Sequence, residues 1–182
     1  MSITQHGALE VIEDDITRVK VDAIVNAANT LLRAGGGVCG AIFRAAGREK
    51  LTAACDAIGG SPTGSAVLTP AFDIPTARYI IHAVGPIYGD HTADQARRLL
   101  RSAYTSAVQL AFENGCKSVA FPAISTGIYG YPLEGACKEA VDVCWTEVRR
   151  TGVGIKLVAF DSKTADYLRR QLSARMKEQP SR

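Results

Sequence analysis

Residues 25–47 read VNAANTLLRAGGGVCGAIFRAAG and lead from a predicted strand into a predicted helix. Asn26 and Asn29 follow an apolar run, three successive glycines come next, and an alanine-rich helical segment begins after them. Glycine lets a ligand approach the main chain closely, and unpaired N–H groups at a helix start attract anions. The stretch therefore predicts a phosphate-binding turn between a strand and a helix. An ordinary tight turn is the alternative, because neither the GxxxxGK[ST] nor the GxGxxG spacing is present.

A second glycine-containing loop, PAISTGIYGYP at residues 122–132, follows the apolar run 118–121. It carries the hydroxyls of Ser125 and Thr126 beside Gly127. Small residues with free N–H groups suit the other side of a diphosphate. Because ligands of open α/β sheets bind where the strands end, the two loops predict a two-sided clamp on a diphosphate.

The remaining pattern alternates short apolar runs with helical periods. Strands are predicted at 8–12, 21–27, 63–70, 78–84, 118–121 and 153–160, and helices at 40–47, 48–57, 92–114, 133–150 and 164–176. A capping box at Thr92–Gln95 marks the start of the clearest helix. His82 lies in the middle of an apolar run, which favours a buried core histidine over a general base. The alternation predicts an α/β fold, a three-layer α/β/α sandwich around a mixed, largely parallel sheet.

Composition excludes several classes of protein. The 182 residues are 47% hydrophobic and 21% charged, with a formal charge of +3, so nucleic-acid binding driven by charge is not expected. Residues 1–7 contain no apolar signal segment, and no run is long enough to span a bilayer, which favours a cytoplasmic protein without a membrane partner. Five cysteines show no CxxC pair. We therefore expect buried thiols rather than zinc ligands or disulfides.

Four motifs in order, VDAIVNAAN, GGGVCGAIFRAAG, IIHAVGP and SVAFPAISTGIYGYP, resemble the macrodomain family. Within that family they are most similar to the bacterial O-acetyl-ADP-ribose deacetylase and MacroD-type branch, over about residues 9–161. The resemblance implies that residues 1–182 form a single macrodomain with a core at about 8–175. It implies ADP-ribose or a derivative as ligand, including a mono-ADP-ribosylated protein, and neither a metal nor a cofactor.

The resemblance also assigns roles to individual residues. Asp15 would accept a hydrogen bond from the adenine amino group, the main chain of Ile16 would read the ring, and Phe160 would pack on it. Asn29 would hold the distal ribose. Eight further residues would bind the diphosphate or flank the reacting sugar. They are Gly36, Gly37, Val38, Ser125, Thr126, Gly127, Ile128 and Tyr129.

One position departs from the family pattern. The deacetylase-like branch places an aspartate directly after GGGV, where it orients or deprotonates water, and this chain has Cys39 there. No other carboxylate lies between Thr30 and Arg48, and Phe43 stands where relatives often carry histidine. The first ligand loop has therefore lost its obvious base.

Three interpretations of Cys39 remain open. In the first, the thiol only fills space and the protein binds its ligand without hydrolysing it. In the second, the ligand's own phosphate activates a water that Asn29 and main-chain groups position. In the third, Cys39 is a nucleophile whose thiolate is stabilised by the helix N-terminus. The third has least support, because no motif histidine is placed to act as its base.

The expected activity is hydrolysis of O-acetyl-ADP-ribose or mono-ADP-ribosyl linkages, with Asn29 and Cys39 as candidate catalytic residues. A non-catalytic reader or sensor of ADP-ribose is the alternative. A binder of nucleotides or RNA ends is a more distant one.

Overall fold

The computed structural model describes residues 2–3 and 8–178. The strands are β1 (Ser2–Ile3), β2 (Ala8–Glu13), β3 (Ala23–Ala28), β4 (Ala66–Pro70), β5 (Tyr79–Val84), β6 (Ser118–Phe121) and β7 (Gly154–Ala159). The helices are α1 (Gly37–Ala46), α2 (Arg48–Ile58), α3 (Ala93–Glu113), α4 (Leu133–Thr151) and α5 (Ser162–Lys177). Short 3₁₀ turns occur at Ile16–Arg18 and Tyr88–Asp90.

The strands form one mixed sheet in the order β1-β2-β7-β6-β3-β5-β4. The five central strands, β2, β7, β6, β3 and β5, run parallel to one another. The two outermost strands are antiparallel to theirs. The predicted mixed, largely parallel sheet is confirmed.

The helices cover the sheet in two layers, because side chains of successive strand residues point to opposite faces. On one face α3, α4 and α5 enclose a core that contains Tyr104 and Phe121. On the other face α1 and α2 enclose a second core that contains Phe43 and Leu51. The α/β/α sandwich predicted from the alternation of elements is confirmed.

Local sequence signals account for some element boundaries and not for others. The Thr92 hydroxyl and the Gln95 side chain form the predicted capping box at the start of α3. Helix α1 begins at Gly37, three residues before the predicted start, so the last of the three glycines belongs to the helix. Strand β4 begins at Ala66 rather than residue 63, because Gly64 has a φ of 89° and forms a turn instead.

The topology directs five loops to one edge of the sheet. Parallel strands end at the same edge, so the segments that follow β2, β7, β6, β3 and β5 lie side by side there in that order. Both predicted ligand loops are among them. Within the described residues, no helix combines the length and the apolar character that crossing a bilayer requires.

Candidate functional site

A cavity of about 510 Å³ opens at this edge of the sheet. Of the predicted site residues, all except Asp15 and Ile16 line it. Those that do are Asn29, Gly36, Gly37, Val38, Cys39, Ser125, Thr126, Gly127, Ile128, Tyr129 and Phe160. The structure thus brings together loops that are about ninety residues apart in sequence.

The end of the cavity after β7 carries an exposed aromatic ring. Phe160 is 82% exposed although it directly follows a buried strand, and it lines the cavity. Asp161 next to it caps α5 by accepting a hydrogen bond from the Thr164 N–H at 2.8 Å. Hydrogen bonds from Thr164 lower the pKa of the Asp161 carboxyl. A large ring left in solvent beside a cavity is a surface for a flat ligand group.

Asp15 and Ile16 lie just beyond this end rather than on the cavity wall. The main-chain N–H of Asp14 donates to the Ala159 carbonyl oxygen at 3.0 Å, which fixes this segment beside the end of β7. Oδ1 of Asp15 accepts from the N–H of Thr17 at 2.9 Å and from its hydroxyl at 2.7 Å. The bond from the Thr17 hydroxyl is the main reason that the pKa of Asp15 is lowered. Asp15 is therefore a cap of the 3₁₀ turn, with its second carboxylate oxygen outside these bonds.

The first glycine loop presents a helix N-terminus to the cavity. Gly36 is the N-cap of α1 and makes no side-chain capping bond, so the first N–H groups of the helix face the cavity without a side-chain partner. Gly37 has a φ of 57°, which favours glycine. A Cβ at Gly40 would lie 2.5 Å from the Gly35 carbonyl oxygen, so the turn closes only on a glycine. This geometry suits a phosphate.

The second loop does not offer its hydroxyls to a ligand. The Ser125 hydroxyl donates to the Pro86 carbonyl oxygen at 2.8 Å, and the Thr126 hydroxyl donates to that of Ala123 at 2.7 Å. Ser125 has a φ of 68°, a strained conformation that these bonds help to hold. Both side chains therefore stabilise the main chain of their own loop and of the segment after β5. Main-chain N–H groups are what remains for an anion.

The segment after β5 packs against the second loop and forms a main-chain hydrogen bond with it. The N–H of Tyr88 donates to the Tyr129 carbonyl oxygen at 2.8 Å. A Cβ at Gly85 would collide with the Ser125 hydroxyl and with Cγ2 of Ile124. The close approach of the two segments therefore requires glycine at position 85. Gly85 itself lines the cavity and was not among the predicted site residues.

Asn29 and Cys39 converge on one carbonyl group at the opposite end of the cavity. Nδ2 of Asn29 donates to the Arg33 carbonyl oxygen at 2.9 Å, and its Oδ1 accepts from the Arg33 N–H at 3.0 Å. The Cys39 thiol donates to the same carbonyl oxygen at 3.7 Å. The Asn29 amide retains one hydrogen and one acceptor site for a ligand. The two candidate catalytic residues are thus neighbours on one wall.

The Cys39 thiol is protonated at neutral pH. It is only 8% exposed, and burial raises its pKa, opposed in part by hydrogen bonds from Gly35 and Asn26. Burial also raises the pKa of the Tyr129 hydroxyl, with a smaller contribution from Cys39. A buried neutral thiol is a poor nucleophile and a poor base. The arrangement gives no support to covalent catalysis by Cys39.

A buried polar chain lies behind this wall. Asn26 pairs with His82 across β3 and β5, with Nδ2 of Asn26 3.1 Å from Nδ1 of His82. Nε2 of His82 lies 3.0 Å from the Thr69 hydroxyl. His82 is fully buried, and burial lowers its pKa to about 4. The prediction of a satisfied core histidine is confirmed.

Metal ligation finds no support in the described part of the chain, where no three His, Cys, Asp or Glu side chains form a group that could hold a metal ion. All five cysteines are free and buried, and burial was predicted for most of them. The cavity wall combines glycine main chain, the Asn29 amide and apolar side chains with hydroxyl groups, the Cys39 thiol and the Asp161 carboxylate.

Comparison with known proteins identifies the family. The sequence profile of the Macro domain family matches residues 25–140. The chain belongs to this family. An O-acetyl-ADP-ribose deacetylase of Escherichia fergusonii is 45% identical to this macrodomain over 173 residues, covering 91% of this chain and 96% of the relative.

Solved structures agree with this assignment. The Oceanobacillus iheyensis macrodomain with ADP matches with a TM-score of 0.92 at 35% identity, covering 98% of this chain and 97% of that one. The Trypanosoma brucei macrodomain in complex with ADP-ribose matches with a TM-score of 0.82 at 34% identity, and the match covers 92% of this chain and 69% of that one. The macrodomain fold of this chain is therefore established.

The macrodomain cavity also contains residues that the sequence motifs did not single out. Asp161 and Thr164 line it at the Phe160 end, and Leu133 lines it at the start of α4. An aspartate directly before a helical segment is a capping signal, because its carboxylate accepts from a main-chain N–H of the first turn. The sequence therefore indicates a helix start there but not its exposure to the cavity. Leu133 carries no such signal.

Proposed function

We propose that this macrodomain binds ADP-ribose in the 510 Å³ cavity and hydrolyses O-acetyl-ADP-ribose or a mono-ADP-ribosyl linkage slowly, because residue 39 is not a carboxylate. The observation that carries the proposal is the order of strands. Segments after β2, β7, β6 and β3 lie side by side, and in that order they supply Asp15, Phe160, the second loop and Asn29. An extended ligand with adenine, diphosphate and ribose in sequence fits this order.

Each part of the ligand has a partner of suitable chemistry. The adenine ring would stack on Phe160, with its amino group donating to the free carboxylate oxygen of Asp15. The diphosphate would lie between the N-terminus of α1 and the main chain of the second loop, both built around glycine. The distal ribose would reach Asn29 beside Cys39, where Tyr129 and Val38 shield the sugar from bulk water.

Water activation falls to the ligand and the main chain in this proposal. The protonated Cys39 cannot accept the proton of an attacking water, so a phosphate oxygen of the bound ligand would accept it. Asn29 would orient the water with the amide hydrogen that Arg33 leaves free. Loss of a positioned general base typically costs about 10²–10⁴-fold in rate, which leaves a slow hydrolase.

A non-catalytic reader of ADP-ribose is the second candidate. The burial of Cys39 and the absence of any carboxylate from residues 30–48 favour it. The same cavity would serve both functions, and they differ only in turnover. Binding alone therefore does not distinguish them.

Turnover is tested by incubating the purified protein with O-acetyl-ADP-ribose and following ADP-ribose release against a protein-free control. Asn29→Ala is the test variant. Asn114→Ala is its matched control, because Asn114 also donates to a main-chain carbonyl, that of Leu110 at 2.8 Å, and does not line the cavity.

The outcomes separate the two functions. Release that persists in Asn114→Ala and is lost in Asn29→Ala supports hydrolysis. No release, together with retained ADP-ribose binding, supports the reader. A protein that binds no ADP-ribose contradicts both.

A further inference from the structure

We infer that the Asn29–Arg33 turn is a docking surface for the polypeptide that carries the ADP-ribose group, and that Arg33 selects an acidic residue beside the modified one. The inference rests on the proposed function, because it extends the ligand beyond the distal ribose. It assigns a role to a turn whose side chains that function does not use.

The turn is held rigidly at the predicted ribose end of the cavity. Both hydrogen-bonding groups of the Asn29 side chain contact the Arg33 main chain, and the Leu32 N–H donates to the Asn29 carbonyl oxygen at 3.0 Å. Leu32 is only 2% exposed and has a φ of 57°, so the turn is anchored in the core in a conformation that leucine rarely adopts. A fixed turn can display neighbouring side chains in a defined place.

Two residues of this turn, Leu31 and Arg33, have exposed side chains. Leu31 is 56% exposed, and the Arg33 side chain is exposed with no ion pair in the described part of the chain. Across the cavity Ile128 is 98% exposed. Ile128 lines the cavity, and Leu31 and Arg33 belong to the turn whose Asn29 lines it. In this inference their side chains contact the group that is attached to the distal ribose.

The charge of this wall is one-sided. Residues 30–48 contain Arg33, Arg44 and Arg48 and no acidic residue, while the rest of the chain carries 18 basic and 18 acidic residues. The Arg44 guanidinium lies beside Gly40 in α1, the helix whose first residues line the cavity. A positive surface next to a site selects negative partners more than it adds affinity. A polypeptide with an acidic residue next to its ADP-ribosylated side chain meets this wall with the complementary charge.

The test compares stable conjugates made by condensing aminooxy peptides with C1″ of ADP-ribose. One peptide carries glutamates beside the linkage and the other carries lysines. Affinities of both, and of free ADP-ribose, are measured by calorimetry at low and at physiological salt. The variants are Arg33→Glu and Arg169→Glu, the latter making the same charge change at an exposed position on α5 away from the cavity.

For the unmodified protein we expect about fivefold tighter binding of the glutamate conjugate at low salt, decreasing as salt is added. Arg33→Glu should abolish or reverse this preference and leave the affinity for free ADP-ribose within about twofold. Arg169→Glu should keep the preference.

Equal affinity of the unmodified protein for the two conjugates would overturn the inference, as would equal losses in both variants. The proposed function fails separately, if free ADP-ribose does not bind at all. Failure of the two ideas is thus distinguishable in one set of titrations.

Discussion

The thiol of Cys39 lies 3.7 Å from the carbonyl oxygen of Arg33 and donates a weak hydrogen bond to it. The Asn29 amide donates to the same oxygen at 2.9 Å. Residue 39 is thus held against the turn that carries the predicted ribose-binding asparagine. A carboxylate at position 39 would therefore lie near the ligand group that Asn29 is proposed to hold.

Replacing Cys39 by aspartate should therefore increase hydrolysis. Residue 39 is the third residue of α1, where a carboxylate is stabilised by the positive end of the helix dipole. We expect Cys39→Asp to raise the rate of O-acetyl-ADP-ribose hydrolysis by about 10²–10⁴-fold, the usual contribution of a general base. Cys39→Ser, which is similar in size and supplies no base, is the control. A lower rate in Cys39→Asp would support a role for the thiol instead.

Gly85→Ala tests the support of the second loop. The added methyl group would collide with Ser125 and Ile124, so the loop must move or the strand must shift. We expect a loss of about 1–3 kcal/mol in the free energy of unfolding and weaker ADP-ribose binding. Gly89→Ala, in the same segment but with no atom within 4 Å of the new methyl group, should change neither. Urea unfolding measures the change in stability, and calorimetry measures the change in ADP-ribose affinity. An unchanged affinity in Gly85→Ala would show that the contact of Gly85 with Ser125 and Ile124 does not shape the site.

Asp15 has two separable roles in this account. Its Oδ1 caps the turn through Thr17, and its second oxygen is assigned to the adenine. Asp15→Ala should weaken ADP-ribose binding by about 1–3 kcal/mol, through loss of a charge-assisted bond. Asp15→Asn keeps an acceptor for Thr17, so it should retain stability while binding less tightly. Full affinity in both variants would remove Asp15 from the adenine site.

Acid should destabilise this protein through His82. Its pKa in the folded protein is about 4, below its ordinary value of 6.5, so the unfolded chain binds the proton more readily. The stabilising effect is complete above pH 6.5 and is lost as the pH falls towards 4, at a total cost of roughly 3 kcal/mol. Urea unfolding between pH 7 and pH 4 measures the loss, and nitrogen NMR shifts of the imidazole identify its source. A His82 ring that titrates near 6.5 in the folded protein would contradict the buried assignment.

Sequence patterns predicted the sheet and the meeting of the two loops, because apolar runs and glycine turns are local signals and parallel strands end at one edge. They could not predict the direction of the Ser125 hydroxyl. That direction depends on a positive φ and on a carbonyl group 39 residues away in sequence. The contact between Asn26 and His82 could not be predicted either, because it depends on the register between β3 and β5. The sequence of Asp161 and the residues after it indicates a helix cap. Its place on the cavity wall is visible only in the structure.

The most direct test of the central claim is a calorimetric titration of the purified protein with ADP-ribose and with AMP, repeated for Phe160→Ala. Phe160 is 82% exposed, so its removal should change the free energy of unfolding by less than about 0.5 kcal/mol. We expect saturable binding of one ADP-ribose, at least about tenfold tighter than AMP, and a loss of about 1–2 kcal/mol of binding free energy in the variant. No saturable binding of ADP-ribose, or equal affinity for AMP, would contradict it.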